Sequence, residues 1–293
     1  MTSPLPLGYI GRFAPSPTGS LHLGSVYTAL ASFLDARAQG GAWKLRFDDL
    51  DTPRNVKGAV GDICRTLEQL GLYWDGEVDY QSQHLDEYEA ILADFIAQGR
   101  VYCCACSRKN LAPVYDKTCR HAHVSSKTPH SLRLRVDAQD ITVQDALHGR
   151  ITRNVAMQDG DFILKRKDAI IAYQFAVVID DRRQGVTDVV RGMDLLNETP
   201  KQCYLQQCLG FPTPNYLHVP LLVDNHGKKL SKTTFARRVE TSQPSATLCQ
   251  LLLWLGQMPP VALQHATVDE ILNWATAHWD IATLSRIHTL SVE

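Results

Sequence analysis

Apolar positions along this chain recur at two spacings. A short apolar run, Gly8-Tyr9-Ile10-Gly11, reads as a strand, and residues 26–39 follow with apolar side chains at helical spacing. Residues 43–47, from Trp43 to Phe47, read as a second strand. In residues 56–71, Val60, Ile63, Leu67 and Leu70 form one helical stripe, closed by Gly71 as a C-cap. Residues 85–98 repeat the pattern with Tyr88, Ile91, Leu92 and Phe95, ending at Gly99. Both stripes predict packing helices. Residues 131–136 alternate in the manner of a half-buried strand and put Arg133 and Arg135 on one face. Residues 162–168 form a strand with a basic end, and residues 172–181 an apolar helical segment. Residues 186–195, Val-rich and ending in charge, have the look of a buried parallel strand. A further strand covers residues 216–223, and helical stripes follow at 248–255 and 268–279. Strands alternating with helices predict an open α/β sheet.

In such a sheet, ligands bind beyond the carboxyl ends of the strands. The first strand runs into Arg12-Phe13-Ala14-Pro15-Ser16-Pro17-Thr18-Gly19, then Ser20-Leu21-His22-Leu23-Gly24-Ser25, before its helix. Prolines stiffen this loop, glycines let the backbone approach a ligand, and a helix N-terminus offers N–H groups and a positive dipole end to an anion. A phosphate site and a plain strand–helix connection fit these residues equally. After the second strand comes Asp48-Asp49-Leu50-Asp51-Thr52-Pro53-Arg54, either carboxylates aimed into a crevice or a solvated turn with an N-cap.

Length and composition narrow the class. The 293 residues can bury a full core, and 44% hydrophobic with 21% charged residues lies in the ordinary globular range. A net charge of −1 gives no global attraction to nucleic acid, so RNA binding would need a local basic face, for which Arg133, Arg135, Arg150 and Arg153 with the strand end Lys165-Arg166-Lys167 are the candidates, an ordinary solvated face being the alternative. The N-terminus has no basic region followed by an apolar core, and no apolar run reaches about 18 residues, so a cytoplasmic protein that neither enters nor crosses a membrane is expected. Of the eight cysteines, Cys64, Cys203, Cys208 and Cys249 lie among apolar helical residues as small hydrophobes. The others cluster: Cys103, Cys104, Cys106 and Cys119, with His121 and His123 nearby. That density suits either zinc or a loop of reduced thiols.

The loop residues 12–19 with His22-Leu23-Gly24-Ser25, and Lys229-Leu230-Ser231-Lys232-Thr233 far downstream, resemble the two ATP-binding signatures of class I aminoacyl-tRNA synthetases in their glutamyl form. The first usually ends in His or Gly where this chain has Ser25. The resemblance covers about residues 8–255 and is strongest to the short glutamyl-synthetase-like enzymes. It implies a class I catalytic domain with a doubly wound parallel sheet: residues 1–80 and 186–235 as its two halves, an insertion at 81–185 carrying zinc, and a short helical region at 236–293 too small for an anticodon-binding domain.

The same resemblance implies the chemistry and the residues. Glutamate would be activated by ATP, with Mg2+, to glutamyl-adenylate without RNA, then transferred to queuosine in the anticodon stem-loop of tRNA(Asp). His22, Gly24 and Lys232 would be catalytic, and Ser25, Lys229 and Ser231 would join them around ATP. Arg12, Phe13, Ala14, Pro15, Ser16, Asp48, Tyr173 and Arg191 would form the glutamate pocket, with Asp48, where related enzymes often carry Glu, on the substrate's amino group. One structural zinc would sit on Cys104, Cys106, Tyr115 and Cys119, with His121, His123 and Cys103 as substitutes for Tyr115. A monomer is expected. Two other readings stay open: a class I-like nucleotidyltransferase with another acceptor, and a non-catalytic tRNA-binding paralogue.

Overall fold

In the computed structural model of the chain, which describes residues 8–107, 114–125, 127–228, 239 and 241–292, every predicted strand and helix lying within those residues is present, with shifted ends. Strand β1 (Ile10–Phe13) pairs in parallel with β2 (Ala42–Phe47), and between them runs α1 (Leu23–Ala38). Helix α1 is apolar nearly all round, and residues from every side of it, among them Val26, Tyr27, Leu30 and Leu34, are buried. A helix of that composition belongs inside the molecule rather than on its surface. It begins three residues earlier than its apolar periodicity suggested, so Gly24 and Ser25 form its first turn.

After β2 come α2 (Ala59–Gln69) and the short β3 (Asp79–Tyr80), which pairs in parallel with β2. Helix α3 (Leu85–Ala97) leads to β4 (Val101–Cys104). Then follow β5 (Ser131–Leu134), β6 (Asp140–Asp145), β7 (Gly149–Asn154), the single turn α4 (Val155–Gln158) and β8 (Ile163–Lys165). Strands β4, β5 and β8 make a small antiparallel sheet. Helix α5 (Tyr173–Arg183), β9 (Asp188–Gly192), α6 (Thr199–Leu209), β10 (Asn215–Val219) and β11 (Leu221–Val223) complete the second half. Helices α7 (Pro244–Trp254) and α8 (Val268–Ala277) close the chain with β12 (Thr289–Ser291).

The segment expected as an insertion reaches back into the main sheet. Strand β10 pairs in parallel with β9 on one side and β6 on the other, and β7 folds antiparallel onto β6. Two further features lay outside the sequence reading. The strand expected over residues 216–223 is broken at Pro220 into β10 and β11, because proline removes a ladder donor. The last strand, β12, pairs in parallel with β11.

Successive side chains of a strand face opposite sides of a sheet. Val189 and Tyr216 accordingly enter one core, with α3, α5 and α6. Val190 and Leu217 enter the other, with α1, α2, α7 and α8. Two layers of helix therefore sandwich the sheet, as the doubly wound architecture requires. Thr187, at the foot of β9, donates its N–H to the Ile10 carbonyl at 3.0 Å. Two residues on, the Arg12 carbonyl takes its hydrogen bond from Ser32 Oγ of α1 at 3.1 Å instead. The helix thus satisfies a carbonyl that would otherwise look to β9, and a crevice opens between β1 and β9.

Candidate active site

His22 caps α1. Its Nδ1 accepts from the Ser25 N–H at 3.2 Å and its Nε2 lies 3.0 Å from Ser25 Oγ. With Nδ1 accepting, the ring proton sits on Nε2 and is shared with the Ser25 hydroxyl. The first-turn N–H expected to face a phosphate is thus already engaged by the histidine. His22, Gly24 and Ser25 line a small cavity opposite Gly192, Asp194 and Leu221. The cavity floor is tight: a Cβ on Gly192 would stand 2.7 Å from Asp194 Oδ1 and 3.3 Å from Leu221 Cδ2. Strand β11 lines the same cavity and leads, through a turn in which Asp224 Oδ1 accepts the Lys228 N–H at 2.8 Å, toward the lysine signature. Lys229, Ser231 and Lys232 themselves lie outside the described residues.

The other side of the crevice is a network of buried charge. Arg12 is 4% exposed and its Nε donates to Asp181 Oδ1 at 3.2 Å. Asp48 is fixed twice: its N–H donates to the Pro15 carbonyl at 3.1 Å, and its Oδ1 accepts from Arg46 Nε at 3.0 Å. Arg46 is fully buried and also donates through Nη1 to Asp181 Oδ1 and Gln184 Oε1, both at 2.8 Å. Behind it, Asp180 collects Tyr88, Gln81 and Arg183. Burial drives the Asp48 carboxyl up against the pull of Arg46, and with Asp180 nearby it settles at about 6. Burial also acts on Asp181, but Arg12 and Arg46 outweigh it and hold that carboxyl below its usual range.

Tyr173 stands at the first turn of α5, and its phenol, raised by burial, feels the charges of Arg191, Asp48 and Arg12. Arg191, buried in β9, donates through Nε to His218 Nε2 at 3.0 Å and through Nη2 to Thr199 Oγ1 at 2.7 Å. Arg12, Asp48, Tyr173 and Arg191 therefore border one crevice. The remaining loop residues divide. Phe13 turns its ring into the core against Trp43, with ring centroids 6.2 Å apart, so only its backbone faces the loop. Ala14 and Pro15 are half-buried and Ser16 is exposed. Of the acidic cluster, Asp49 is drawn off to Ser82, and Asp51 to Arg54 and Arg166, which leaves Asp48 to the crevice.

The cysteine cluster assembles at the end of β4. The sulfurs of Cys104, Cys106 and Cys119 all lie within 4.8 Å of one another. The Tyr115 hydroxyl is 3.4 Å from Cys104 Sγ and 3.9 Å from Cys106 Sγ. Gly160, at φ +73°, lets the backbone of Tyr115 come close; a Cβ there would meet the Tyr115 carbonyl at 2.7 Å. Burial, Cys119 and Cys104 push the Cys106 thiol up to about 11; burial also raises the Cys104 thiol, but Tyr115, the Cys106 N–H and Arg133 bring it down to about 7. A thiol held that low is readily a thiolate, the form that binds zinc. Three sulfurs and one oxygen converging on a point fit a tetrahedral soft-metal site. His121 and His123 are exposed and outside the cluster, and Cys103 does not join it.

The expected basic face is corrected here. Arg133 is 5% exposed, lies 3.8 Å from the Tyr115 ring centroid and donates to the Asp161 carbonyl at 2.6 Å. Arg135 covers the Tyr102 ring at 4.9 Å, and Arg153 forms a two-pronged pair with Asp159 at 2.7 and 3.1 Å. Only Arg150 remains as an exposed cation of the four. Strand alternation misled because β5 is covered on both sides. Sequence reasoning also missed Arg46, Asp180, Asp181 and His218 as site residues. The available signal was a charged or imidazole side chain inside an otherwise apolar strand or helix.

The sheet, the crevice at the strand ends and the helix-capping His22 define a class I synthetase, and residues 10–252 match the family described as tRNA synthetases class I (E and Q), catalytic domain, to which the chain belongs. At higher resolution, the chain is 48% identical over 287 residues to the glutamyl-Q tRNA(Asp) synthetase of Ectopseudomonas mendocina, covering 97% of each chain. It is 50% identical over 285 residues to the protein of the same name from Thiobacillus denitrificans, covering 94% of this chain and 95% of that one. Among solved structures, a glutamate tRNA ligase from Elizabethkingia meningosepticum, crystallised with its amino acid, superposes with a TM-score of 0.80 at 25% identity, over 97% of this chain and 67% of that one. Among the described residues no helix is long and apolar enough to cross a membrane.

Proposed function

We propose that this protein joins glutamate to ATP without RNA and passes the glutamyl group to queuosine in the anticodon of tRNA(Asp). A glutamate carboxylate oxygen attacks the α-phosphorus, the bond from that phosphorus to the bridging oxygen breaks, and pyrophosphate leaves. The acyl group then moves to the modified base and AMP departs. The relatives' name supplies the acceptor. The observation that carries the reading is the convergence of Arg12, Asp48, Tyr173 and Arg191, close to a His22 cavity that is lined by Gly192, the residue after Arg191. Arg191 suits a substrate carboxylate because a guanidinium binds both oxygens, and Asp48 suits the amino group. His22, Gly24 and Ser25 would hold ATP with Lys229, Ser231, Lys232 and Mg2+, Lys232 neutralising charge on the departing pyrophosphate.

Cys104, Cys106, Tyr115 and Cys119 would hold one zinc, which supplies no reactive group and ties residues 104–119 into a fixed shape. In this reading residues 1–80 and 186–235 form the catalytic halves, residues 81–185 the metal-bearing segment and residues 236–293 the helical end, in a cytoplasmic monomer.

Two assays test the proposal. Glutamate, and no other amino acid, should support ATP–pyrophosphate exchange in the absence of tRNA. Lys232→Ala should cut that exchange by roughly 10²–10³ in kcat, the effect of losing one oriented transition-state contact. Labelled glutamate should then attach to tRNA(Asp) bearing queuosine, or to its isolated stem-loop, and appear in an anticodon fragment after nuclease digestion. Label recovered with the 3′-terminal adenosine would refute the acceptor.

A further inference from the structure

Arg191 offers its substrate a fixed edge only if its other edge is held. His218 in β10 is fully buried, and its Nδ1 lies 2.7 Å from Asp145 Oδ2 at the end of β6. Its Nε2 lies 3.0 Å from Arg191 Nε and 3.1 Å from Thr199 Oγ1. A guanidinium only donates and a carboxylate only accepts. A proton on Nε2 would point at the Arg191 N–H, so the ring must carry its proton on Nδ1 and present a lone pair on Nε2. Thr199 fits the same scheme: its oxygen accepts from Arg191 Nη2 while its proton goes to the Leu195 carbonyl at 3.1 Å. Asp145 is pinned in turn, its Oδ1 accepting the N–H groups of Leu147 and His148 at 3.0 Å each.

From this geometry we infer that His218, held in one tautomer by Asp145, is the positioning residue that aims Arg191 at the substrate carboxylate. It touches no reacting atom. Nε and one N–H of Nη2 of Arg191 are engaged inward, and among the described residues Nη1 has no acceptor, which leaves the Nη1–Nη2 edge for both oxygens of a carboxylate in the crevice. Burial and the Arg191 charge keep the imidazole neutral, as the scheme needs. Arg191, His218 and Asp145 come from β9, β10 and β6, three neighbouring and mutually parallel strands of one sheet. The relay therefore runs across the sheet, and the segment between the two catalytic halves sets the pocket through Asp145.

The inference rests on the reading of Arg191 as a glutamate ligand, so the experiment separates the two. Arg191→Ala, His218→Asn and His218→Gln are compared with the unaltered enzyme in ATP–pyrophosphate exchange. The Asn amide can still donate to Asp145 but cannot reach Arg191, whereas the Gln oxygen can stand where Nε2 stood. His218→Asn should raise glutamate KM about tenfold, the effect of leaving a buried donor unpaired, with ATP KM changed less than about twofold. His218→Gln should restore most of the loss. Nitrogen-15 NMR of the unaltered enzyme near pH 7 should show His218 with its proton on Nδ1 alone. If Arg191→Ala leaves glutamate KM unchanged, the pocket assignment falls and the relay's purpose with it. If Arg191→Ala raises it and a folded His218→Asn does not, the relay alone is wrong. A ring protonated at Nε2 would also overturn it, even if neither His218 variant folds.

Discussion

The charged side of the crevice and the cysteine cluster both bury polar groups, and they solve the cost in opposite ways. Around Arg46, cations and carboxylates neutralise one another: Asp48, Asp180 and Asp181 meet Arg12, Arg46 and Arg183 within the chain. Each charge is hydrogen-bonded, which is the condition under which buried ions are tolerated. At Cys104, Cys106, Tyr115 and Cys119, three sulfurs and a phenol oxygen face one another, with Arg133 over the Tyr115 ring as the adjoining cation. The first region balances its charges within the chain, although Arg46 Nη2 is buried without a hydrogen-bond partner among the described residues. The second is a set of donors that a cation would complete. A site that is internally balanced is tuned for exchange with a ligand; one that is unbalanced is tuned for permanent occupation.

Removing one partner from the balanced region gives the largest effect. Arg46→Met would leave Asp48 and Asp181 short of a buried counter-ion, and stability should fall by about 3–5 kcal/mol, read as a lowered denaturation midpoint in urea. Retention of wild-type stability would show that the network is not self-balancing. Cys119→Ser tests the unbalanced region. It should abolish the single zinc seen by elemental analysis and lower the melting temperature, because metal affinity is partly folding free energy, while glutamate KM stays near the wild-type value. Protein purified without chelator and lacking zinc would break the comparison outright.

The smallest effect concerns protons. Asp48 has its carboxyl raised by burial to about 6, and its contact with an ammonium group needs the ionised form. Below that pH, kcat/KM for glutamate should fall about tenfold per unit, and Asp48→Asn should remove the inflection. The stability sign is opposite. A carboxyl raised above its unfolded value binds more protons in the native state between about 4 and 6, so its contribution to stability declines as pH rises through that window.

Much of this was legible in the chain. Strands and helices followed from spacing; the strand-end positions of His22, Asp48 and Arg191 were visible too, but their roles came only from the resemblance to class I synthetases. Cys104, Cys106 and Cys119 announced themselves by density. What was not legible depended on partners far away in sequence. Nothing near Arg46 says that it will meet Asp181, and nothing near His218 points to Asp145. Arg133 and Arg135 looked solvated because alternation assumes one wet face, and β5 has none. Strands β6 and β7 entering the main sheet likewise depended on a pairing that no local pattern encodes.

The pairing of β11 with β12 bears on how the protein is made. Strand β11 lines the His22 cavity and leads toward the lysine signature, yet its ladder partner is Thr289–Ser291. On the ribosome, Leu221-Leu222-Val223 must wait as an uncapped edge while α7 and α8 are translated. Such edges recruit stray strands, and a contact of that sequence separation forms late. Completion of the strand pair that walls the His22 cavity thus waits for the last strand among the described elements.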